Sequence, residues 1–353
     1  MGPLLLKQQA IVFEKILSWR PLSEAKMNAL YYICRVKTIV DFIRLLRPVN
    51  LAIIAATMYI IRWLVIYPLI NNQAFSMEFQ LNELDFFMST MVMVCLAAAG
   101  NIINDYFDLK VDRINKPNRI IVGNTIKRRI AMVSHHVFNV LAVLLSICLA
   151  WRYDQLILAV VPAFMAGSLW YYSILFKKQV LIGNFVVALM VAIVPLWAGA
   201  FDLIALNETY GPHMVNGTEF FGVLWQWILG FALFAFVITL IREAQKDLED
   251  IKGDAAGKFR TLPIEYGVST TKMYIGLLSL LCIIGVLFVA FSIKDICPQP
   301  VAFWSFLMVF AVLPLIGGWY ITVRGKGKKD YHLAATLSKI AMAGGILMAW
   351  FFH

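Results

Sequence analysis

The sequence predicts an all-α, polytopic membrane protein whose nine transmembrane helices form a single bundle around a central cavity. Hydrophobic residues make up 61% of the 353 residues and charged residues only 15%. The apolar residues gather in runs close to the ~20 residues that cross a bilayer core. These runs lack the alternation of barrel strands, and only helices or closed barrels satisfy every backbone polar group in lipid. The predicted spans are 49–67, 85–104, 129–150, 155–173, 182–201, 221–241, 269–291, 301–322 and 333–352.

Lysine and arginine residues are distributed unevenly between the two sides of the predicted bundle. Of 31 such residues, 27 lie in the amino-terminal segment or in loops on the same side. Because cytoplasmic loops carry such an excess, the sequence predicts a multi-pass protein of the inner or cell membrane with this side in the cytoplasm. The formal charge of +10 then reflects topology and contact with membrane lipids, and no nucleic-acid partner is predicted.

Residues 1–43 precede the first span and form a separate unit in the predicted domain organisation. Aromatic residues such as Trp19 and Phe42 alternate there with basic residues such as Lys26. This pattern is typical of an amphipathic segment that lies in the membrane interface. Residues 44–353 are predicted to form the transmembrane domain that carries the chemistry, and no obligate protein partner is predicted.

Three carboxylates at helical spacing follow the second apolar run directly. Asp105, Asp108 and Asp112 stand at i, i+3 and i+7 after the charge-free run 86–103. On a helix these positions fall within roughly 60° of one another. Like charges this close at a membrane boundary require a positive partner. Mg²⁺ is the favoured partner because it takes oxygen ligands and often binds phosphate at the same time.

A second acidic trio repeats the spacing of the first. Asp247, Asp250 and Asp254 again stand at i, i+3 and i+7, after the charge-free run 220–241. Gly253 and Gly257 are expected to end this helix. The repetition of so costly an arrangement favours a shared metal site over two solvated helix ends.

Basic and amide side chains near the two trios suit a diphosphate, because Arg and Lys bind phosphate oxygens directly. Arg47 and Asn50 open the first span, where a polar side chain is costly without a partner. Either a helix–helix contact or a place in the polar cavity would supply that partner. The other residues predicted to contact phosphate from this pattern are Lys116, Arg119, Arg242, Lys246 and Arg260.

Two carboxylate trios with Mg²⁺, basic neighbours and an aromatic-rich wall suit a substrate that combines a diphosphate with an apolar tail. A prenyl diphosphate is such a substrate. Its ionisation would leave an allylic carbocation, which aromatic faces stabilise and a membrane-embedded pocket shields from water. A lipophilic acceptor would then capture the cation.

These motifs resemble those of the UbiA-type intramembrane prenyltransferases. The resemblance covers roughly residues 40–350 and includes the start Arg47-Pro-x-Asn and two motifs of the form Asp-x-x-Asp-x-x-x-Asp. It implies an enzyme that transfers a prenyl group from its diphosphate with Mg²⁺. The resemblance implies that Asn104, Asp105, Asp108, Asp112, Asp247, Asp250 and Asp254 bind metal, and that Asn50, Tyr172, Lys177 and Arg119 line the diphosphate site.

Within that family, residues 104–119 are most similar to the branch that makes isoprenoid ether lipids, the geranylgeranylglyceryl-phosphate geranylgeranyltransferases. The similarity implies geranylgeranyl diphosphate as donor and a glycerol lipid as acceptor. The chain departs from the branch after Arg119, where it reads Ile-Ile-Val-Gly-Asn in place of Pro-Ile-Pro-Ser-Gly. An aromatic acceptor of the 4-hydroxybenzoate or naphthoate type, as in quinone synthesis, is therefore the alternative. A cation-coupled transporter fits less well, because transporter acids lie mid-span in broken helices.

Overall fold

The computed structural model describes the backbone of residues 24–71, 77–213, 217–292 and 299–352. Within these ranges the chain is helical apart from short connections, and nine helices are long and apolar enough to cross a membrane. The predicted fold class and number of spans are therefore confirmed. Residues 1–23, within the predicted interfacial segment, lie outside the described residues.

The described residues form twelve principal helices, α1 to α12 in chain order. Nine of them are spans, and α1, α4 and α9 are the remaining three. The helices are α1 Glu24–Leu46, α2 Pro48–Ile70, α3 Glu83–Phe107, α4 Leu109–Asn115, α5 Arg128–Arg152, α6 Ile157–Ile174, α7 Ile182–Tyr210, α8 Gly217–Ala256, α9 Leu262–Glu265, α10 Gly267–Ser292, α11 Pro300–Arg324 and α12 Lys328–Leu347.

A single residue, Arg47, separates α1 from α2. Its backbone is left-handed, with φ of 58°. The ring of Pro48 disfavours helical backbone at the preceding residue, whereas proline itself fits the first turn of a helix. The chain therefore turns at Arg47, and the start of α2 lies beside the first trio, where the Arg47 guanidinium reaches Asp105.

Helix α8 differs most from the sequence-based expectation. Its predicted span was 221–241, but the helix continues to Ala256, so the second trio lies on the spanning helix itself. The helix ends directly before Gly257, as expected, but the expectation that Gly253 ends it is wrong. The Gly253 N–H donates to Asn115 Oδ1 at 3.0 Å, and a Cβ at this position would lie 2.3 Å from Asn115 Nδ2. Gly253 therefore allows α4 to approach α8 closely.

Helix α8 occupies a central position and packs against α7, α10 and α12, with α4 beside its trio-bearing end. Helix α3 packs on α5 and α6. A polar contact marks the α3–α5 interface, where His135 Nδ1 lies 3.0 Å from the carbonyl oxygen of Ala99. Asn139 Nδ2 lies 3.0 Å from the other ring nitrogen, so this buried imidazole has partners on both sides.

An ion pair is buried in the half of the bundle away from the trios. Arg62, in a π-helical turn of α2, lies 2.6 Å from Asp202 of α7, and both side chains are fully buried. The Arg62 guanidinium also donates to the carbonyl oxygen of Leu81 at 2.7 Å and lies 4.1 Å from the centre of the Phe79 ring. The pair joins α2 to α7.

Candidate active site

The first trio lies at the junction of α3 and α4, and two of its members contact basic groups from other elements. Arg47 Nη2 donates to Asp105 Oδ1 at 2.6 Å. The Lys177 ammonium contacts Asp108 Oδ2 and lies 3.2 Å from Asn104 Oδ1. The short segment after α6 therefore reaches the same carboxylates as the start of α2.

The third member of this trio, Asp112, follows a one-residue break between the two helices. Asp108 has φ of −81° and ψ of 0°, yet the Asp112 N–H still donates to its carbonyl oxygen at 2.8 Å. Burial, and then repulsion from the Asp108 carboxylate, raise the pKa of Asp112 to about 6. Burial alone would lower the pKa of Lys177, but the Asp108 carboxylate raises it above its ordinary value, so the ammonium stays charged.

The second trio lies on one side of the continuous helix α8, as its spacing predicts. Asp247 Oδ2 accepts a hydrogen bond from Asn184 Nδ2 of α7 at 2.8 Å. Asp250 Oδ2 lies 3.2 Å from Lys116 Nζ, and Asp254 is buried. One of the three carboxylates is therefore buried, and the other two are partly buried.

Contacts between α4, α8 and the start of α12 bring the two trios together. Besides Lys116, Asn115 bridges the two helices, since its Nδ2 donates to the carbonyl oxygen of Asp250 at 3.2 Å. Lys328 Nζ donates to the carbonyl oxygen of Asn115 at 2.6 Å and lies 3.8 Å from Asp250 Oδ1. These hydrogen bonds and ion pairs hold the loop after the first trio against the second trio.

Lys177 lies between the trios. It contacts Asp108 of the first trio and is close enough to Asp247 and Asp254 of the second to interact with both electrostatically. Tyr172, at the end of α6, is buried and interacts with Lys177, Asp108 and Asp247. The structure therefore brings Tyr172 and Lys177, two of the residues that the resemblance implies, to the predicted site.

The donor atoms of the site fit a hard divalent cation. Among the described residues, no three acidic, histidine or cysteine side chains lie close enough together to chelate one ion, and Arg47, Lys116 and Lys177 neutralise the carboxylates. Asp108 Oδ1 and Asp250 Oδ1 are nevertheless buried without a hydrogen bond in the described part of the chain. Carboxylate oxygens that lack a hydrogen bond are available as the oxygen ligands that Mg²⁺ prefers.

The polar and basic residues predicted on α2 and α8 contact α12 and Glu243 rather than the trio carboxylates. Lys339 Nζ of α12 donates to Asn50 Oδ1 at 3.1 Å. On α8, Glu243 Oε1 accepts from Arg242 Nη1 at 2.7 Å and from Lys246 Nζ at 2.9 Å. These side chains are part-buried, so the polar region continues from the trios towards α12.

The structure does not bring Arg119 or Arg260 to either trio. Arg119 ends a one-turn helix, is exposed, and takes part in none of the ion pairs found among the described residues. Arg260 is exposed and binds Glu265 through two nitrogens, at 3.1 and 2.7 Å. Both residues follow the ends of trio-bearing helices, but their side chains are exposed and do not contact the trio carboxylates.

Several residues of this region had no predicted role, among them Asn115, Lys328 and Lys339. A charge inside an apolar run is the signal that could have identified Lys339, because such residues usually have a partner. Asn115 and Lys328 stand in polar connections, where their residue types are ordinary. Their roles follow from the packing of α4 and α12 on α8.

Comparison with known proteins agrees with this geometry. Residues 67–343 match the UbiA prenyltransferase family. The digeranylgeranylglyceryl phosphate synthase of Methanosphaera stadtmanae is 28% identical over 304 residues, which cover 85% of this chain and 94% of that protein. A solved structure of a digeranylgeranylglyceryl phosphate synthase superimposes with a TM-score of 0.57 at 20% identity, covering 89% of this chain and 99% of that one.

A second solved structure shares the fold. It is a UbiA homologue from Archaeoglobus fulgidus bound to DMAPP and Mg²⁺, with a TM-score of 0.54 at 14% identity over 87% of this chain and 99% of that one. The nine spans and the two acidic trios define a multi-pass integral membrane enzyme that transfers prenyl groups. The chain belongs to the UbiA prenyltransferase family.

Proposed function

We propose that this enzyme transfers a prenyl group, with geranylgeranyl favoured, from its diphosphate to a lipid acceptor such as geranylgeranylglyceryl phosphate. The observation that carries the proposal is the junction of the two acidic trios through Lys116 and Lys177. The similarity to digeranylgeranylglyceryl phosphate synthases supports the choice of substrates.

The six trio carboxylates would hold Mg²⁺, as the donor set and the free oxygens of Asp108 and Asp250 suggest. The binding of DMAPP with Mg²⁺ by the Archaeoglobus fulgidus homologue supports this assignment. Bound Mg²⁺ supplies positive charge that neutralises a departing diphosphate. Lys177 and Lys116 can bind diphosphate oxygens directly, because each already lies on a trio carboxylate and carries further N–H donors.

In the proposed reaction the bond between the prenyl C1 and the diphosphate oxygen breaks, and diphosphate leaves with the electron pair. The acceptor hydroxyl oxygen forms the new ether bond to C1 and gives its proton to an oxygen of the departed diphosphate. An allylic cation between these steps needs a site without free water. Tyr172, buried between the trios, excludes water there and offers an aromatic ring to the cation.

The proposed orientation places the trios at the cytoplasmic face of the cell membrane, on the side that carries 27 of the 31 basic residues. Residues 44–353 would form the catalytic domain in this arrangement. Residues 1–43 would anchor the chain in the cytoplasmic interface of the membrane.

Transfer assays on the purified chain in lipid nanodiscs test the proposal. Labelled geranylgeranyl diphosphate and Mg²⁺ would be supplied with geranylgeranylglyceryl phosphate, and in a parallel reaction with 4-hydroxybenzoate. The expected product is a labelled diether lipid phosphate that requires Mg²⁺. Labelled prenyl-4-hydroxybenzoate with no diether product would establish the aromatic acceptor instead. The absence of both products would contradict the proposed donor.

A further inference from the structure

Lys339 is a charged residue inside the last span, and its partner lies at the start of the first. Its Nζ donates to Asn50 Oδ1 at 3.1 Å, a contact between residues 289 positions apart. Both side chains are only partly exposed. Burying an ammonium and an amide at the end of a membrane span is costly, so a function for this contact is to be expected.

Further basic groups surround this contact. Lys339 and Arg242 are close enough to repel each other electrostatically. Lys246 is likewise close enough to be repelled by both Arg242 and Arg47. Glu243 accepts from Arg242 and from Lys246, at 2.7 and 2.9 Å. The cationic ring, as we name this cluster, consists of Arg47, Asn50, Arg242, Glu243, Lys246 and Lys339.

The charges within the cationic ring do not balance. Three of its four cations form ion pairs, and with only two carboxylates, Glu243 within the ring and Asp105 on Arg47, so positive charge is in excess within the ring, although Asp247 of the second trio lies in electrostatic range of Lys246. A phosphate monoester carries about −1.5 to −2 charges at pH 7, whereas a carboxylate carries one. The excess therefore matches a phosphate monoester better than the carboxylate of an aromatic acid.

Hydrogen-bond donors are also in excess in the ring. Arg242 uses one nitrogen on Glu243, and the Lys339 ammonium uses one of its three N–H bonds on Asn50. Guanidinium and ammonium groups have no acceptor atoms, so their remaining donors can only be satisfied by an anion, a carbonyl oxygen or water. Charge-assisted hydrogen bonds to phosphate are among the strong ones available.

The ring adjoins the metal site without coinciding with it. Arg47 pairs with Asp105, and Glu243 interacts with Lys177, the residue that contacts Asp108. The trios and Lys177 form one candidate anion-binding site, and the adjacent cationic ring forms a second. A transferase whose donor and acceptor both carry phosphate needs two such places.

We infer that the cationic ring binds the phosphate group of the acceptor lipid, with Lys339 as a specificity-determining residue that selects phosphorylated over neutral or aromatic acceptors. This inference rests on the proposed function and deepens it. It assigns the donor diphosphate to the trios and the acceptor phosphate to the region between α2, α8 and α12.

The test varies acceptor and donor separately in nanodiscs with Mg²⁺. For Lys339→Met, the KM for geranylgeranylglyceryl phosphate should rise at least tenfold, while the KM for geranylgeranyl diphosphate stays within twofold of the wild-type value. The preference for the phosphorylated acceptor over the same lipid alcohol without phosphate should shrink by a similar factor. Lys339→Arg keeps the charge and should restore most of the preference, which also shows that the position tolerates substitution.

Lys329→Met provides the matched control, since Lys329 is an exposed lysine of the same helix, and both KM values should stay unchanged. An unaltered acceptor KM in Lys339→Met would overturn the inference. A rise in the donor KM alone would assign the ring to the diphosphate instead.

Binding without turnover separates this inference from the proposed function. The phosphorylated lipid should raise the Tm of the wild type more than the lipid alcohol does, and Lys339→Met should remove the difference. If the wild type bound in this way but transferred no prenyl group, the proposed function would fail and the phosphate site would stand. Equal Tm shifts for the two lipids in the wild type would refute the phosphate site even in an active enzyme.

Discussion

Lys116 Nζ lies 3.2 Å from Asp250 Oδ2, so the loop after the first trio reaches the second trio 134 positions further along the chain. Asn115 supports this contact, since its side chain donates to the Asp250 carbonyl oxygen and accepts from the Gly253 N–H. The trios therefore belong to one site, although they lie on different helices. Substitutions in either trio should have the same consequence.

Asp108→Asn and Asp250→Asn should each lower the rate of prenyl transfer by about 10²–10³-fold, the usual effect of losing one preorganised electrostatic group. Each substitution removes one negative charge and one free buried oxygen from the site. Initial rates with labelled prenyl diphosphate would measure the loss, and size-exclusion profiles would show that the proteins remain folded. Asp154→Asn is the control, because Asp154 is exposed and left-handed, a conformation that Asn also adopts. Full activity in Asp108→Asn would exclude that carboxylate from the reaction.

Removal of Mg²⁺ should lower the thermal stability of the wild type as well as its activity. The carboxylates of the trios repel one another electrostatically, and a bound cation relieves that repulsion. At a concentration one hundred times its Kd, a ligand that binds only the folded state stabilises it by about 2.7 kcal/mol. Scanning calorimetry in detergent with EDTA or with excess Mg²⁺ would measure the shift in Tm. The double variant Asp108→Asn/Asp250→Asn should show no shift, and an equal shift in both proteins would place the ion elsewhere.

The spans could be predicted from the sequence because lipid imposes a minimum length of apolar helix. The ends of the helices could not. Helix α8 continues to Ala256 because its polar residues after Ile241 find partners on α4, α7 and α12, such as Asn115 and Asn184. Hydropathy does not depend on such tertiary contacts, so it predicts a span that ends with the apolar run.

The site was predictable where it depends on spacing within one helix. The second trio follows this spacing and lies on one side of α8, whereas the first trio is divided by the break at Asp108. The contact of Asn50 with Lys339 depends instead on how the first and last spans pack, across 289 positions. Arg260 also could not be placed from the sequence alone, because it stands close to the second trio in sequence but pairs with Glu265 at the surface.

Arg62→Met should destabilise the protein without changing its substrate affinities. The substitution would leave Asp202 buried without its cation, and the loss of one partner from a buried pair costs about 3–5 kcal/mol. Thermal unfolding in detergent should show a lower Tm, while the KM values of the protein that remains folded should match the wild type. The pair lies away from the trios, so a changed donor KM would contradict a purely structural role.

The double variant Arg62→Met/Asp202→Leu supplies the control for that interpretation. With both charges replaced by apolar groups, no buried charge is left uncompensated, and such replacements are often neutral or stabilising. Its Tm should therefore lie above that of Arg62→Met. A double variant as unstable as the single one would show that the lost contacts of Arg62 with Leu81 and Phe79 dominate instead.

Gly344→Ala should destabilise the bundle, because α12 crosses α11 there at close range. A Cβ at Gly344 would lie 2.2 Å from the carbonyl oxygen of Phe310, a backbone atom that cannot rotate away. Overpacking of this kind costs typically about 1–3 kcal/mol, so thermal unfolding in detergent should show a clear fall in Tm. Gly285→Ala is the matched control, since a Cβ at Gly285 of α10 meets no atom within 4 Å. Its Tm should equal or exceed that of the wild type, and equal Tm values for the two variants would mean that α11 and α12 are less closely packed at this crossing.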